Sequence, residues 1–173
     1  MNRNTNGNWL LLSFDYLIKT HMPHIQYIAW DLDGTLGKHP GWDGTGSVKD
    51  YIIDHPSLRE AMQHLTRKYG IGHIVVSRNG MFCGNTYNKM RAELQQLGFH
   101  GVLKCYRKKD HSKVREFYMQ NGDPPSDVLL IDDQERECVA AQNEGAYALL
   151  VETYVQDALP NNKFTIYIPD TTA

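Results

Sequence analysis

The sequence predicts an α/β fold, a three-layer sandwich with helices on both faces of a central parallel sheet. Strand and helix patterns alternate along the chain, the strand segments are short uninterrupted apolar runs, and polar residues follow several of them directly. Strands joined through helices run parallel, and strands that are apolar on both faces lie inside the sandwich. With 173 residues, 41% of them hydrophobic, the chain is about the size of one domain.

The elements alternate in the order βαβαβαβαβ. Aliphatic and β-branched runs bounded by polar residues predict strands at 25–30, 71–76, 102–103, 128–131 and 146–151. Apolar residues at helical spacing predict helices at 56–69, 87–97, 113–121 and 135–143. Asp54 and Pro56 suit the start of the first helix and Gly70 its end, and Gly145 follows the last one. This order predicts a Rossmann-like arrangement.

Two segments lie outside the alternation. Residues 9–18 predict a short helix packed on the domain, because Ser13 and Asp15 interrupt a run too short to span a membrane. A membrane-surface or partner-binding helix is the alternative, although Lys and Arg are few there. Residues 163–168 alternate in polarity and predict an edge strand. We expect an N-terminal extension of unknown role at 1–24, the α/β domain at 25–152, and a C-terminal extension packed on it at 153–173.

Composition argues against several functions. Lys and Arg total 18 against 20 Asp and Glu, a net charge of −2 without a basic stripe, so nucleic-acid binding is not expected. Cys83, Cys105 and Cys138 lack metal-ligand spacing and are interpreted as reduced thiols of a cytoplasmic protein. No transmembrane segment is expected, and the oligomeric state is not indicated.

Polar side chains follow three of the predicted strands. They are Asp31 and Asp33 after the first, Ser77, Arg78 and Asn79 after the second, and Asp132 and Asp133 after the fourth. Because parallel sheets bind ligands at the carboxyl ends of their strands, we expect these residues to converge. Carboxylates this close raise one another's pKa, and a hard divalent cation with oxygen ligands removes the conflict. The sequence therefore predicts a Mg²⁺ site.

The same residues suit phosphoryl transfer. One carboxylate can attack phosphorus and form an aspartyl-phosphate, and a second, two residues on, can protonate the leaving oxygen and later activate water. Gly34 allows a sharp turn beyond them, and Ser77 and a lysine can bind and neutralise phosphate oxygens. Any one aspartate could instead cap a helix or start a turn. Two pairs and a serine at three strand ends are harder to explain in that way.

Three segments carry a resemblance to a known family. Asp31-Leu32-Asp33-Gly34-Thr35, after an apolar strand, resembles the first motif of the haloacid dehalogenase-like (HAD) superfamily. Ile74-Val75-Val76-Ser77 is similar to the second motif, and Leu129-Leu130-Ile131-Asp132-Asp133 to the fourth. The resemblance covers roughly residues 25–152, most of the chain, and its motifs occur in the family's order.

Within the superfamily, the chain is most similar to small magnesium-dependent phosphatases of the eukaryotic magnesium-dependent phosphatase-1 type. The similarity lies in Ser77-Arg78, in Ser112-Lys113-Val114 and in residues 131–136. It implies a HAD-like fold without a cap domain and an Mg²⁺-dependent phosphomonoester hydrolase.

The resemblance also implies roles for individual residues. Asp31 would be the nucleophile, and Asp33 the acid and base that also gives its backbone carbonyl to the metal. Asp133 would be the third metal ligand. Asp132 would lie next to the ligands without binding the metal itself.

Phosphate binding is assigned to the remaining polar residues, which are Ser77, Arg78, Asn79 and Lys113. Lys113 is our choice for the third motif, because it precedes the acidic-pair strand and lies within the Ser-Lys-Val match. Lys104, Lys108 and Lys109 are the alternatives.

The spacing of the motifs leaves little room for a cap, so the site is expected to be open under a flap of residues 36–49. An open site admits a phosphorylated protein side chain or a small phosphomonoester. The resemblance implies phosphotyrosine and sugar phosphates, and we prefer protein phosphotyrosine. The alternatives are a small-metabolite phosphatase, a polynucleotide 3′-phosphatase and, in another class, a non-catalytic phosphate-binding or receiver-like module.

Overall fold

The computed structural model describes residues 8–37, 52, 55–78, 84–100, 102–104 and 111–170, and all structural statements refer to these. Asn79, Lys108 and Lys109 lie outside the described residues, as does nearly all of the predicted flap. For Lys104 the structure describes the backbone alone. The predicted roles of these residues stay predictions.

The described chain contains six strands and six α-helices in an α/β arrangement. The strands are β1 Tyr27–Asp31, β2 Gly72–Ser77, β3 Val102–Lys104, β4 Val128–Asp132, β5 Tyr147–Val151 and β6 Phe164–Tyr167. The helices are α1 Asn8–His21, α2 Pro56–Tyr69, α3 Gly84–Gln96, α4 Arg115–Asn121, α5 Glu135–Asn143 and α6 Val155–Ala158. The sheet order is β3-β2-β1-β4-β5-β6, with β6 antiparallel to β5 and the other pairs parallel.

Strand β1 occupies the middle of the sheet, with β2 on one side and β4 on the other. Ala29 pairs in register with Ile74 of β2 and with Leu130 of β4. The chain adds strands first in one direction from β1 and then in the other, so the crossovers diverge at its carboxyl end. Such a switch point leaves a crevice where doubly wound sheets bind ligands.

The two faces of the sheet are covered by different helices, which confirms the predicted three layers. Ile28 and Trp30 point to the side where α1, α2 and α6 pack, and Ala29 points to the side of α4 and α5. Leu129 and Leu130 of β4 divide between the two faces in the same way. Alternation along strands that are buried on both faces is the expected pattern for an inner parallel sheet.

Helix α1 packs on α2 and contributes to the larger core. Phe14 lies edge-on to Trp30, with 5.7 Å between ring centroids. Asp15 accepts hydrogen bonds from Tyr69 at 2.9 Å and from His64 at 3.0 Å, which ties α1 to α2. The division of the chain at residue 25 stays a prediction. In the part of the chain described here, no helix combines the length and apolar character needed to cross a membrane.

Several boundaries differ from the predicted ones. Lys113 was expected to open a helix, but α4 begins at Arg115 and Lys113 lies in the turn before it. The cause is local, because Ser112 and Val114 form that turn and the amide of Arg115 donates to the carbonyl of Ser112. The edge strand predicted at 163–168 is confirmed as β6. Helix α6 was not predicted, since four residues show no helical period.

Candidate active site

Three carboxylates and a lysine meet at the carboxyl end of β1. Asp31 is the last residue of β1, Asp132 is the last residue of β4, and Asp133 follows it. Lys113 reaches them from the turn before α4. The described chain thus brings Asp31, Asp132 and Asp133 together, as predicted for these strand-end residues, and adds Lys113, which the sequence assigned to phosphate binding.

Asp31 is buried and each of its carboxylate oxygens has a donor. Lys113 Nζ lies 2.6 Å from Asp31 Oδ1, and the hydroxyl of Thr35 donates to Oδ2 at 3.0 Å. Burial, followed by the charge of Asp132, raises the pKa of Asp31 well above its ordinary value, although Lys113 opposes this. The hydrogen bonds fix the orientation of the carboxyl group that was predicted to be the nucleophile.

Lys113 bridges two carboxylates. Its Nζ also lies 2.8 Å from Asp132 Oδ2, while Asp132 Oδ1 accepts the backbone N–H of Gln134 at 2.9 Å. Burial alone would lower the pKa of Lys113, but the two carboxylates hold it above the ordinary value and the amine stays charged. Burial raises the pKa of Asp132 to about 6, even though Lys113 opposes the shift. Asp132 therefore holds Lys113 together with Asp31.

The turn after β1 brings the backbone against Asp133. Gly34 has a φ of 87°, in the left-handed region that glycine adopts without strain. The Gly34 amide donates to the carbonyl of Gly37 at 2.8 Å, and the Thr35 amide donates to that of Leu32 at 3.2 Å. These bonds close the turn that carries Asp33, which is half-buried.

The carboxylates suit a divalent cation. Asp31, Asp132 and Asp133 each offer an oxygen within 4.8 Å of the others. Among the described residues, the buried Asp133 Oδ1 makes no hydrogen bond. A buried carboxylate oxygen left without a donor is costly, and an Mg²⁺ ion would satisfy it. The three carboxylates fit the predicted metal. The assignment of Asp31, Asp133 and the Asp33 carbonyl as its ligands stays a prediction.

Ser77 and Arg78 lie beside this cluster at the end of β2. Ser77 is buried as the last residue of the strand, next in the sheet to β1. The Arg78 guanidinium makes a two-point ion pair with Glu137, at 2.7 Å and 3.0 Å, and donates to the carbonyl of His111 at 2.8 Å. The predicted contacts of both residues with phosphate stay predictions, and the structure adds a structural role for Arg78.

Residues of α5 and of its C-terminal cap that the sequence did not single out also support the site. The carboxylate of Glu137 holds Arg78, and that of Glu144 accepts the amide of Ser112 at 3.0 Å as well as its hydroxyl. The one signal in the sequence is the spacing of seven residues between Glu137 and Glu144. This spacing is about two helical turns and places both side chains on the same face. Carboxylates with that spacing are common on solvated helices, so the spacing does not predict their partners.

No family model matches the sequence, and no curated protein matches it. Solved structures do match the fold. A D,D-heptose 1,7-bisphosphate phosphatase from B. bronchiseptica, complexed with magnesium and phosphate, is similar with a TM-score of 0.57 and 20% sequence identity, over 80% of this chain and 87% of that one. A HAD-superfamily hydrolase from Geobacter sulfurreducens has a TM-score of 0.54 and 14% identity, over 75% of this chain and 93% of that one.

The chain therefore has the HAD-like fold, which confirms the predicted fold class. The more specific resemblance to the magnesium-dependent phosphatase-1 type stays a prediction, because identities this low establish the fold alone.

Proposed function

We propose that the chain is an Mg²⁺-dependent phosphomonoester hydrolase that works through an aspartyl-phosphate on Asp31. The observation that carries the proposal is the position of Lys113 Nζ, 2.6 Å from Asp31 and 2.8 Å from Asp132 at the carboxyl end of β1. A nucleophile whose carboxyl group is held by Lys113 and Thr35 is oriented before the substrate arrives. The Mg²⁺ complex of the heptose bisphosphate phosphatase supports the choice of metal.

The proposed reaction has two displacements. Asp31 attacks phosphorus, the bond from phosphorus to the ester oxygen breaks, and Asp33 gives its proton to the departing alkoxide. Water then attacks the aspartyl-phosphate while Asp33 takes its proton, which releases inorganic phosphate and restores the Asp31 carboxylate. Asp31 and Asp133, with the Asp33 carbonyl, would hold Mg²⁺, which supplies charge neutralisation when bound. Lys113 neutralises charge on the phosphoryl oxygens, and Ser77 donates to them.

For the substrate we propose a small phosphomonoester such as a sugar phosphate. Support comes from the heptose bisphosphate phosphatase of similar fold. Protein phosphotyrosine, preferred from the sequence, has no support from the solved structures of similar fold and stays a prediction. The polynucleotide 3′-phosphatase is disfavoured by the net charge of −2. A cytoplasmic location remains the expectation from the cysteines.

A hydrolysis panel tests the activity and the substrate together. The panel contains sugar phosphates, phosphotyrosine, phosphoserine and phosphothreonine peptides, and 3′-phosphorylated oligonucleotides, each with Mg²⁺ or EDTA. Asp31→Asn is compared with Asp157→Asn, which removes an exposed carboxylate on α6. We expect sugar phosphates to be hydrolysed fastest, with Mg²⁺ required and Asp31→Asn alone inactive.

The covalent intermediate gives a second readout. With p-nitrophenyl phosphate, whose leaving group departs without an acid, Asp33→Asn lacks only the base of the second displacement, so a phosphoryl group should accumulate on the peptide that contains Asp31, as detected by mass spectrometry after acid quench. Turnover that persists in EDTA or in Asp31→Asn would contradict the proposed mechanism. Hydrolysis of phosphotyrosine peptides faster than of sugar phosphates would agree with the mechanism but contradict the proposed substrate.

A further inference from the structure

We propose that Glu144 is a positioning residue, which holds Lys113 in place through Ser112. The catalytic consequence rests on the proposed phosphatase function, whereas the effect on the position of Lys113 does not. Glu144 follows the last turn of α5 and does not belong to the carboxylate cluster at the carboxyl end of β1. The inference comes from the way in which the turn before α4 is attached to the rest of the molecule.

Lys113 needs such an attachment because of where it lies. Its side chain is buried, with 6% of the residue exposed, and its ammonium contacts Asp31 and Asp132. Yet Lys113 belongs to neither a helix nor a strand, and the backbone ladder of the sheet does not hold it. Small movements of a catalytic group can cost about a hundredfold in rate. Contacts of other side chains with this turn therefore bear directly on the position of Lys113.

Glu144 supplies the contacts on one side of the turn. Its carboxylate accepts the backbone N–H of Ser112 at 3.0 Å and also the Ser112 hydroxyl, so it binds the residue just before Lys113 at two points. Ser112 is itself buried, so these donors have little access to water. Hydrogen bonds to a carboxylate are stronger than those between neutral groups, and replacing that carboxylate would strand two buried donors.

Further donors hold the Glu144 carboxylate in its own position. The hydroxyl of Tyr118 donates to Glu144 Oε1 at 3.1 Å, and Arg115 Nη1 lies 3.9 Å from Oε2. Burial, and then the Glu144 charge, raises the pKa of Tyr118 to about 12, so the phenol remains a donor. The Glu144 carboxylate thus links α4 and the turn before it to the end of α5.

The other side of the turn has a matching attachment. Glu137, two turns earlier on α5, binds Arg78, and Arg78 donates to the carbonyl of His111 at 2.8 Å. Helix α5 in turn begins at Glu135, two residues after Asp133. The helix that continues the acidic strand thus holds the lysine turn at His111 and at Ser112, which sets the separation between Lys113 and the carboxylates.

The experiment measures the position of Lys113 and catalysis separately. Acetylation of the Lys113 amine by acetic anhydride, followed peptide by peptide with mass spectrometry, reports its protection whether or not the protein is an enzyme. Glu144→Ala is compared with Ser112→Ala, with the conservative Glu144→Gln, and with Glu135→Ala. Glu135 is on the same helix, and among the described residues its exposed side chain makes no hydrogen bond or ion pair with residues 111–113. All variants are labelled well below their melting temperatures.

We expect Glu144→Ala to raise the rate of Lys113 acetylation at least about tenfold, Ser112→Ala to raise it less, and Glu144→Gln to restore most of the protection. Glu135→Ala should match the wild type. Unchanged protection of Lys113 in folded Glu144→Ala would overturn the proposal. This holds whether or not the protein hydrolyses phosphomonoesters.

Catalysis is then compared in two backgrounds. Glu144→Ala should lower kcat/KM by roughly ten- to a hundredfold when Lys113 is present, but by less than about twofold in the Lys113→Ala background, because it acts through that lysine. A merely structural role would lower kcat/KM equally in both backgrounds, and that result would also overturn the proposal. If no substrate is hydrolysed, the proposed function fails while the acetylation result stands.

Discussion

Gly34 lies directly against the carboxylate of Asp133. A Cβ placed on Gly34 would overlap Asp133 Oδ2 and approach Cγ to 2.9 Å, closer than real side chains allow. The backbone of the turn after β1 therefore contacts the Asp133 side chain at Oδ2, while the other oxygen, Oδ1, is buried without a hydrogen bond. This contact restricts the position of Asp133 and with it the cation site that we propose.

Gly34→Ala should consequently damage metal binding more than folding. The new methyl group must displace the Asp133 carboxylate, and changes next to metal ligands typically cost about ten- to a hundredfold in affinity. Gly122→Ala is the matched control, because Gly122 also has a positive φ, 73°, but an added Cβ there meets nothing within 4 Å. Both variants should lose about 1–2 kcal/mol from backbone strain. Titration calorimetry with Mg²⁺ should show weaker binding in Gly34→Ala alone, and equal affinities would contradict the proposed site.

Asp31→Asn should abolish activity and yet stabilise the metal-free protein. Burial and Asp132 raise the pKa of Asp31, so keeping it ionised at neutral pH costs folding free energy. An amide of the same shape carries no charge, and Lys113 keeps Asp132 as its partner. We expect a loss of roughly 10³-fold or more in kcat together with a higher melting temperature in EDTA. A lower melting temperature than that of the wild type would show that the Lys113 contact outweighs the cost of burial.

Much of the fold and of the candidate site could be predicted because the relevant signals are local. Apolar runs marked the sheet strands, and Asp31, Asp132 and Asp133 stand at strand ends, where topology alone brings them together. Gly70 ends α2 with a φ of 69°, as its position predicted.

Other features depend on partners far along the chain. Arg78 pairs with a residue 59 positions away, and Ser112 with one 32 positions away. No local pattern identifies those partners, so Arg78 was predicted only as a substrate contact. Likewise, residues 9–18 predicted a helix packed on the domain, but no local pattern identified Trp30 and α2 as its partners.

A pair of substitutions tests whether α1 belongs to the cooperative core. Phe14 is fully buried against Trp30, whereas Leu12 on the same helix is 59% exposed. Phe14→Ala should cost about 3–5 kcal/mol of unfolding free energy, because it removes a large side chain and leaves a cavity. Leu12→Ala should stay within about 0.5 kcal/mol of the wild type. Urea unfolding measures both values. A small effect of Phe14→Ala would mean that α1 unfolds separately, as an extension to the domain would.

His73 should make the stability of the protein depend on pH. Its Nδ1 accepts from Trp30 Nε1 at 3.1 Å, and its Nε2 lies 3.2 Å from the carbonyl of Met62. Since Trp30 can only donate and the carbonyl can only accept, the ring is neutral, with its proton on Nε2. A second proton on Nδ1 would face the indole N–H. Burial, opposed by the bond to Met62 and reinforced by His100, lowers the pKa of His73 to about 4.

The sign of the effect follows from proton uptake. Between the folded-state pKa of about 4 and the unfolded value of 6.5, the unfolded chain binds more protons. The free energy of unfolding should therefore fall as the pH is lowered from about 7 and level off below about 4, with a total loss of roughly 3 kcal/mol from this residue. His73→Gln cannot titrate there, so it should lack this part of the loss while sharing the contributions of Asp31 and Asp132. Urea unfolding of both proteins at a series of pH values isolates the difference, and parallel pH profiles would show that His73 is already protonated in the folded protein or gains no proton on unfolding.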